Sequence, residues 1–320
     1  MADHADDDEY DGEFFIYRRG WVPQLVTHVL IDESVDEIEE NAFICRDSLV
    51  HVKTHNGLRK IGKYAFQRCT SLRWIDLKSV VEIDRGAFGR CESLETLEFG
   101  DRLETIRFRA FCGCTSLAHL KLPSVITIEE GSFTSCTNLL DVELSEQLET
   151  IEGCAFSECE SLQRIAIPLK RNLFAFHDFW RKYTQFEECE QLRTVDLVGG
   201  IHTTVASLHM ESWRTEMTAE IKRINQVLTD TSKSDKTEEI RQWMLLVIGK
   251  MDCYKAEHNR YVKEGITLLE LALWKVKLYE QEVSSDDTKV DDDSARRERR
   301  ITCGADIVIK NVLPFLKLLV

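Results

Sequence analysis

The chain has 320 residues, enough for about two domains. Its 41 Lys and Arg stand against 56 Asp and Glu, a formal charge of −15 that excludes a general nucleic-acid binder, since phosphate contacts need a basic face. Hydrophobic residues at 43% make it globular, and four Pro with 15 Gly exclude collagen-like and Pro-rich classes.

In chain order, residues 1–13 come first, with seven acids and no Lys or Arg. They read as a solvated acidic tail over 1–20, with an acidic docking peptide as the alternative. The segment lacks the basic start and apolar run of a secretory signal. No Asn-x-Ser/Thr sequon occurs, and no run of about 18 uncharged apolar residues suggests a membrane span. Together these features lead to an expectation of a cytoplasmic protein, with the nucleus as a further possibility.

Repetition dominates residues 21–200. Phe43, Phe66, Phe88, Phe111, Phe133 and Phe156 are spaced by 22 or 23 residues. Five residues before each stands an Ile, from Ile38 to Ile151, and immediately before each an Ala, with Ser132 once. Six after each comes a Leu, from Leu49 to Leu162, and nine after it Val52, Ile75, Leu97, Leu120, Val142 or Ile165. Such a repeat is one turn of a solenoid, unable to bury its apolar residues without neighbours. The alternation around position +9 from the Phe predicts a short strand, and the strands stack about 4.8 Å apart into a parallel sheet on one face. An irregular seventh unit comes last, with Phe186, Cys189, Leu192 and Val195. It lacks the Ile and Ala columns and reads as a terminal coil, so Phe186 is expected to be less enclosed than Phe111.

Units such as Leu103-Glu-Thr-Ile106, Ala110-Phe111, Cys114-Thr-Ser-Leu117 and Leu120-Lys-Leu122-Pro123 resemble the BspA-like leucine-rich repeats. The resemblance covers residues 21–200 and implies protein binding or adhesion, in a class known on microbial surfaces. The chain also resembles a group of diatom proteins in which such repeats precede a helical segment like that around Leu208–Trp213; no biochemical activity comes with it. The resulting fold class is an α/β solenoid of leucine-rich repeats followed by helices.

Six cysteines, Cys69, Cys91, Cys114, Cys136, Cys159 and Cys189, fall three residues after their Phe. They read as a buried, reduced ladder. Cys112-Gly-Cys114 is the one tempting metal pair, but no CxxC or paired histidine spacing accompanies it. No metal or other cofactor is therefore expected.

Beyond Gly199-Gly200 the period becomes helical. Met217–Leu228, Ile240–Met251 and Ile266–Val276 each carry an apolar stripe, with breaks expected at 230–236 and around 262–265. Trp213, Trp243 and Trp274 lie on these stripes and are expected in the core. These helices make 201–320 the second domain, with a mobile loop near 284–295. Arg296–Arg300 reads as a solvated helix end, or alternatively a nuclear signal. Residues 301–320 read as a last packed helix, or as an amphipathic helix for a membrane surface or partner.

No phosphate loop, nucleophile elbow, kinase set or HExxH motif appears, so no enzyme is expected. The function expected is an intracellular protein-interaction scaffold; secreted or cell-surface adhesion is the alternative. The binding face is the outward side of the sheet, at +8 and +10 from each Phe. Its candidate residues are His51, Trp74, Asp76, Thr96, Glu98, His119, Lys121, Asp141 and Arg164. Seven strands there would span about 29 Å, a length suited to a protein or peptide partner. Trp74 and Arg164 are the residue types enriched at interface hot spots.

Overall fold

A computed structural model describes residues 14–174, 184–198, 211–230 and 235–283. The acidic stretch 1–13, the Gly199-Gly200 turn, the loop near 284–295, the Arg296–Arg300 cluster and the segment 301–320 lie outside the described residues, as does the Trp213 side chain.

The repeat winds into a solenoid with parallel strands on two faces. The +8 to +11 positions form β4 (His51–Lys53), β6 (Trp74–Leu77), β8 (Glu98–Phe99), β10 (His119–Lys121), β12 (Asp141–Glu143), β14 (Arg164–Ile167) and β15 (Thr194–Leu197). A second ladder runs through the Ile column as two-residue strands: β3 (Glu37–Ile38), β5 (Lys60–Ile61), β7 (Glu82–Ile83), β9 (Thr105–Ile106), β11 (Thr127–Ile128) and β13 (Thr150–Ile151). The sequence pattern predicts only the first ladder. Two-residue strands leave no alternation to read.

The solenoid begins earlier than the repeat pattern suggests. Strands β1 (Phe15–Tyr17) and β2 (His28–Ile31) extend the first sheet to β1-β2-β4-β6-β8. The boundary of the expected tail at residue 20 is thus corrected, since Phe15–Tyr17 is strand and Tyr17 is buried. Tyr17 takes the place of the missing Phe and packs on Phe43 with ring centroids 4.8 Å apart. Strands β10, β12, β14 and β15 form a separate sheet. Between the two sheets, Gly100 lies so close to the Lys78 carbonyl that a Cβ would fall 1.9 Å from its oxygen, so no other residue fits there.

The phenylalanines stack along the core, from Phe43 to Phe156, with neighbouring centroids 4.9–5.4 Å apart and rings nearly parallel. Each of the six ladder thiols donates to the Phe carbonyl one coil back, as Cys91 Sγ does to Phe66 O at 3.1 Å. In the first full coil Arg46 stands in that column instead. Its guanidinium reaches back to the Val22 carbonyl at 2.9 Å, supplying the same backward bond from a longer arm.

Around each Phe from Phe43 to Phe156 the backbone turns left-handed twice, and at Phe186 once, at Glu188. Positions −2 (Asn41, Tyr64, Gly86, Arg109, Gly131, Cys154) and +2 (Cys45, Arg68, Arg90, Gly113, Ser135, Glu158, Glu188) all have φ between 53° and 77°. Ten of these thirteen are not glycine, and each carries a conformational penalty of about 1 kcal/mol. Hydrogen bonding offsets it. The amides at −2, 0 and +2 point along the stack to carbonyls of the next coil, as in Tyr64 N to Arg85 O, Phe66 N to Ala87 O and Arg68 N to Gly89 O. Every such bond runs in one direction, so the last coil is left with outward amides.

Helix α1 (Glu211–Asp230) and the first part of α2 (Thr237–Val283) come after the stack. The chain divides into two compact units, Met1–His202 with Ser212–Ile248, and Thr203–Glu211 with Gly249–Val320. Within the first unit the helices meet the end of the stack. Thr237 Oγ1 accepts from the Phe186 amide at 3.0 Å, and Asn225 Oδ1 accepts from the Val195 amide of β15 at 2.8 Å. Lys236 is buried and donates to the Leu228 carbonyl at the end of α1; burial pulls its pKa down.

Phe186 is accordingly as enclosed as Phe111, both fully buried, which corrects the expectation of a looser terminal coil. Phe174 and Gln185 occupy the columns where Ile and Ala were missing: Ile151 N donates to Leu173 O, and Phe156 N to Gln185 O.

The expected break near 262–265 does not occur, and α2 runs unbroken from Thr237 to Val283. A lone Gly265 costs about 1 kcal/mol in a helix, and no proline accompanies it. Trp243 is core, with its indole N–H donating to Glu220 O at 3.1 Å. Trp274 is not: it is 68% exposed, and Leu273 beside it 56%.

Candidate functional site

On the outward side of the first sheet, register alone decides which side chains meet. His28 pairs with His51, and His51 with Trp74, on adjacent strands. Their rings form an edge-to-face series, with His28 to His51 centroids at 5.7 Å and His51 to Trp74 at 5.1 Å. Phe14 extends the series, edge-on to His28 at 5.7 Å. Burial, followed by the neighbouring His51, lowers the His28 pKa, which favours the neutral ring. Trp74 is half-buried in this row.

Sequence reasoning found His51 and Trp74 but missed Phe14 and His28. A signal was present: His28 and Val29 lie 23 residues before His51 and Val52, in register with the repeat. The absence of a Phe in the first coil hid it.

The other expected residues divide into two groups. Asp76 is half-buried beside Trp74, while Thr96 and Glu98 are exposed on the next coil. His119 and Lys121 are exposed on β10, with Lys121 facing Glu143 at 3.3 Å. Arg164 is held between Asp141 (2.8 Å) and Asp196 (2.7 Å) on the strands at either side. Its side chain is therefore committed within the sheet. The face has an aromatic end at β1, β2, β4 and β6, and a charge-paired end at β10 to β15.

Among the described residues no group of three His, Cys, Asp or Glu is arranged to hold a metal. The Cys114 thiol is spent on the Phe88 carbonyl, while Cys112 lies half-buried on another face. Among the described residues, no helix is long and apolar enough to cross a membrane.

Comparison with known proteins agrees with this architecture. The BspA type Leucine rich repeat region matches in six copies over residues 24–82 and 74–193, just over half of the chain. The chain belongs to this family. Solved leucine-rich repeat structures resemble the BspA-type stack. A Treponema pallidum (T. pallidum) leucine rich repeat protein is 27% identical, over 57% of this chain and 83% of that one, with a TM-score of 0.45. A leucine rich cell surface protein from Faecalibacterium prausnitzii is 25% identical, over 57% of this chain and 49% of that one, with a TM-score of 0.43. A leucine-rich repeat protein from Bacteroides ovatus is 23% identical, over 54% of this chain and 55% of that one, with a TM-score of 0.37. This chain thus spans about half the length of the latter two. No curated protein matches it. The family points to protein–protein interaction or to adhesion and recognition, and its solenoids are typically not enzymes.

Proposed function

We propose that this chain is an intracellular interaction scaffold without enzymatic activity, which binds a protein partner on the aromatic end of its sheet face. The observation that carries the reading is the row made by Phe14, just before β1, with His28, His51 and Trp74 on the successive strands β2, β4 and β6, a surface where solvation would favour charge. Trp74 is the anchor, already oriented by His51, so little side-chain freedom is lost on docking. Residues Asp76, Thr96, Glu98, His119 and Lys121 extend the contact along the stack, and the Asp141–Arg164 end supplies its charged rim. The intracellular assignment is supported by the ladder of buried thiols, whose S–H groups serve as donors and call for a reducing compartment.

The test begins with a partner recovered by pull-down on the full chain. Trp74→Ala then weakens that binding by about 2 kcal/mol or more, with the melting temperature nearly unchanged. Unaltered binding refutes the site. Protease treatment of intact cells separates scaffold from surface adhesin: an intracellular chain survives, and a surface protein is cleaved.

A further inference from the structure

A depression opens on a different face of the stack, over the left-handed turns of three successive coils. The coil of Phe88 carries Gly86 at −2 and Gly89 at +1, where its neighbours carry Tyr64 and Gln67 on one side, Arg109 and Cys112 on the other. The missing side chains leave a cavity of about 370 Å³, at the small end of ligand sites. The Tyr64 ring leans onto Gly86, where any Cβ would come within 2.6 Å of it.

Four arginines line this cavity, Arg68, Arg85, Arg90 and Arg109, all of them exposed to solvent. Arg85 and Arg109 both lie against the Phe108 ring, their guanidinium carbons 4.7 and 5.1 Å from its centroid. The chain carries 56 carboxylates. Yet among the described residues none of the four arginines makes an ion pair, although Arg107 in the same region bridges Glu82 and Glu129. Glu158, whose charge is felt at Cys112, accepts instead from the Ser135 hydroxyl at 2.5 Å. Glu130 and Glu187 act at Cys154 together with Arg109, yet they too form no ion pair with these arginines among the described residues. Four like charges gathered without a bonded carboxylate repel one another, and an anion relieves that repulsion.

We propose that this cavity binds a small molecule bearing more than one phosphoryl charge. Guanidinium forks bind phosphate oxygens in pairs, and a tetrahedral phosphoryl group offers acceptor oxygens to several forks at once, where a planar carboxylate occupies one. Phe108 holds two of the arginines in place beforehand, which lowers the entropic cost of binding. The site shares no residue with the aromatic row, so either can fail without the other.

Pyrophosphate is the probe, titrated calorimetrically into the full chain at low salt, where screening is weak. Saturable one-to-one binding is expected. It falls at least tenfold in R85Q/R109Q and in R68Q/R90Q, and stays unchanged in K222Q/K255Q, which removes two exposed helix lysines. Circular dichroism verifies folding, and the single variant Arg85→Gln replaces any pair that unfolds. Three results overturn the proposal: no saturable binding, an equal loss in K222Q/K255Q, or citrate bound as tightly as pyrophosphate.

Discussion

The backbone amide of Phe186 donates to the hydroxyl of Thr237, 51 residues later, at 3.0 Å in the buried interior. Every earlier Phe of the stack, from Phe43 to Phe156, gives its amide to a carbonyl of the coil after it. At Phe186 the next coil is missing, and the start of α2 supplies the acceptor. Removing that acceptor leaves a buried amide unpaired. Thr237→Ala is expected to destabilise the chain by about 1–3 kcal/mol, and Thr237→Ser by much less. Urea unfolding of both variants checks it; equal losses would show that the methyl group, not the hydroxyl, is what matters.

The same cap changes the expected behaviour of the last ring. Phe186 lies 5.9 Å from Phe156 and meets Phe174 edge-on. Phe111→Ala and Phe186→Ala are each expected to cost about 3–5 kcal/mol. A loss at Phe186 of less than half that at Phe111, measured by denaturant unfolding, would mean the end of the stack opens in solution.

Thiol labelling reads the ladder directly. The chain has eleven cysteines. After unfolding without reductant, all eleven are expected to react with maleimide. In the folded protein Cys253 is exposed and reacts first, while the six ladder thiols are buried and resist. Three or more disulfides would contradict both the ladder and the reducing compartment.

Alkaline pH should weaken the fold through the same residues. Burial is the main cause that raises the pKa of Cys69, Cys136 and Cys189 to about 12, and of Cys91, Cys114 and Cys159 well above the usual thiol value. The folded state therefore keeps protons that the unfolded chain releases above about pH 9. The stability contribution is fully present below pH 9 and is lost as pH rises towards 12. Between pH 9 and 11, Cys136→Ala should lose about 2 kcal/mol less than the parent protein, since one thiol no longer resists ionisation. Identical slopes in urea titrations at several pH values would reject this.

What could be read from residues alone was whatever recurs. Phe, Ile, Leu and Cys repeat at constant offsets because each coil places the same side chain at the same depth, so spacing translates directly into register. His51 and Trp74 could be assigned to one face for that reason, and the stripes ending at Leu228 and starting at Ile240 marked a true helix boundary.

Departures from the repeat were decided by tertiary contact. Tyr17 substitutes for a Phe and Arg46 for a Cys because the neighbouring coil, not the residue type, determines what is needed there. The left-handed turns at Tyr64, Arg68 and Arg90 escape a sequence reading, since non-glycine residues adopt them only where the next coil's carbonyls capture their amides. The closure of the last coil by Thr237 and Asn225, the capture of Arg164 by two aspartates, and the gathering of four arginines over Gly86 and Gly89 all join residues far apart in the chain. Periodicity gives each coil its shape, but which side chains meet across coils depends on distances that only the wound stack provides.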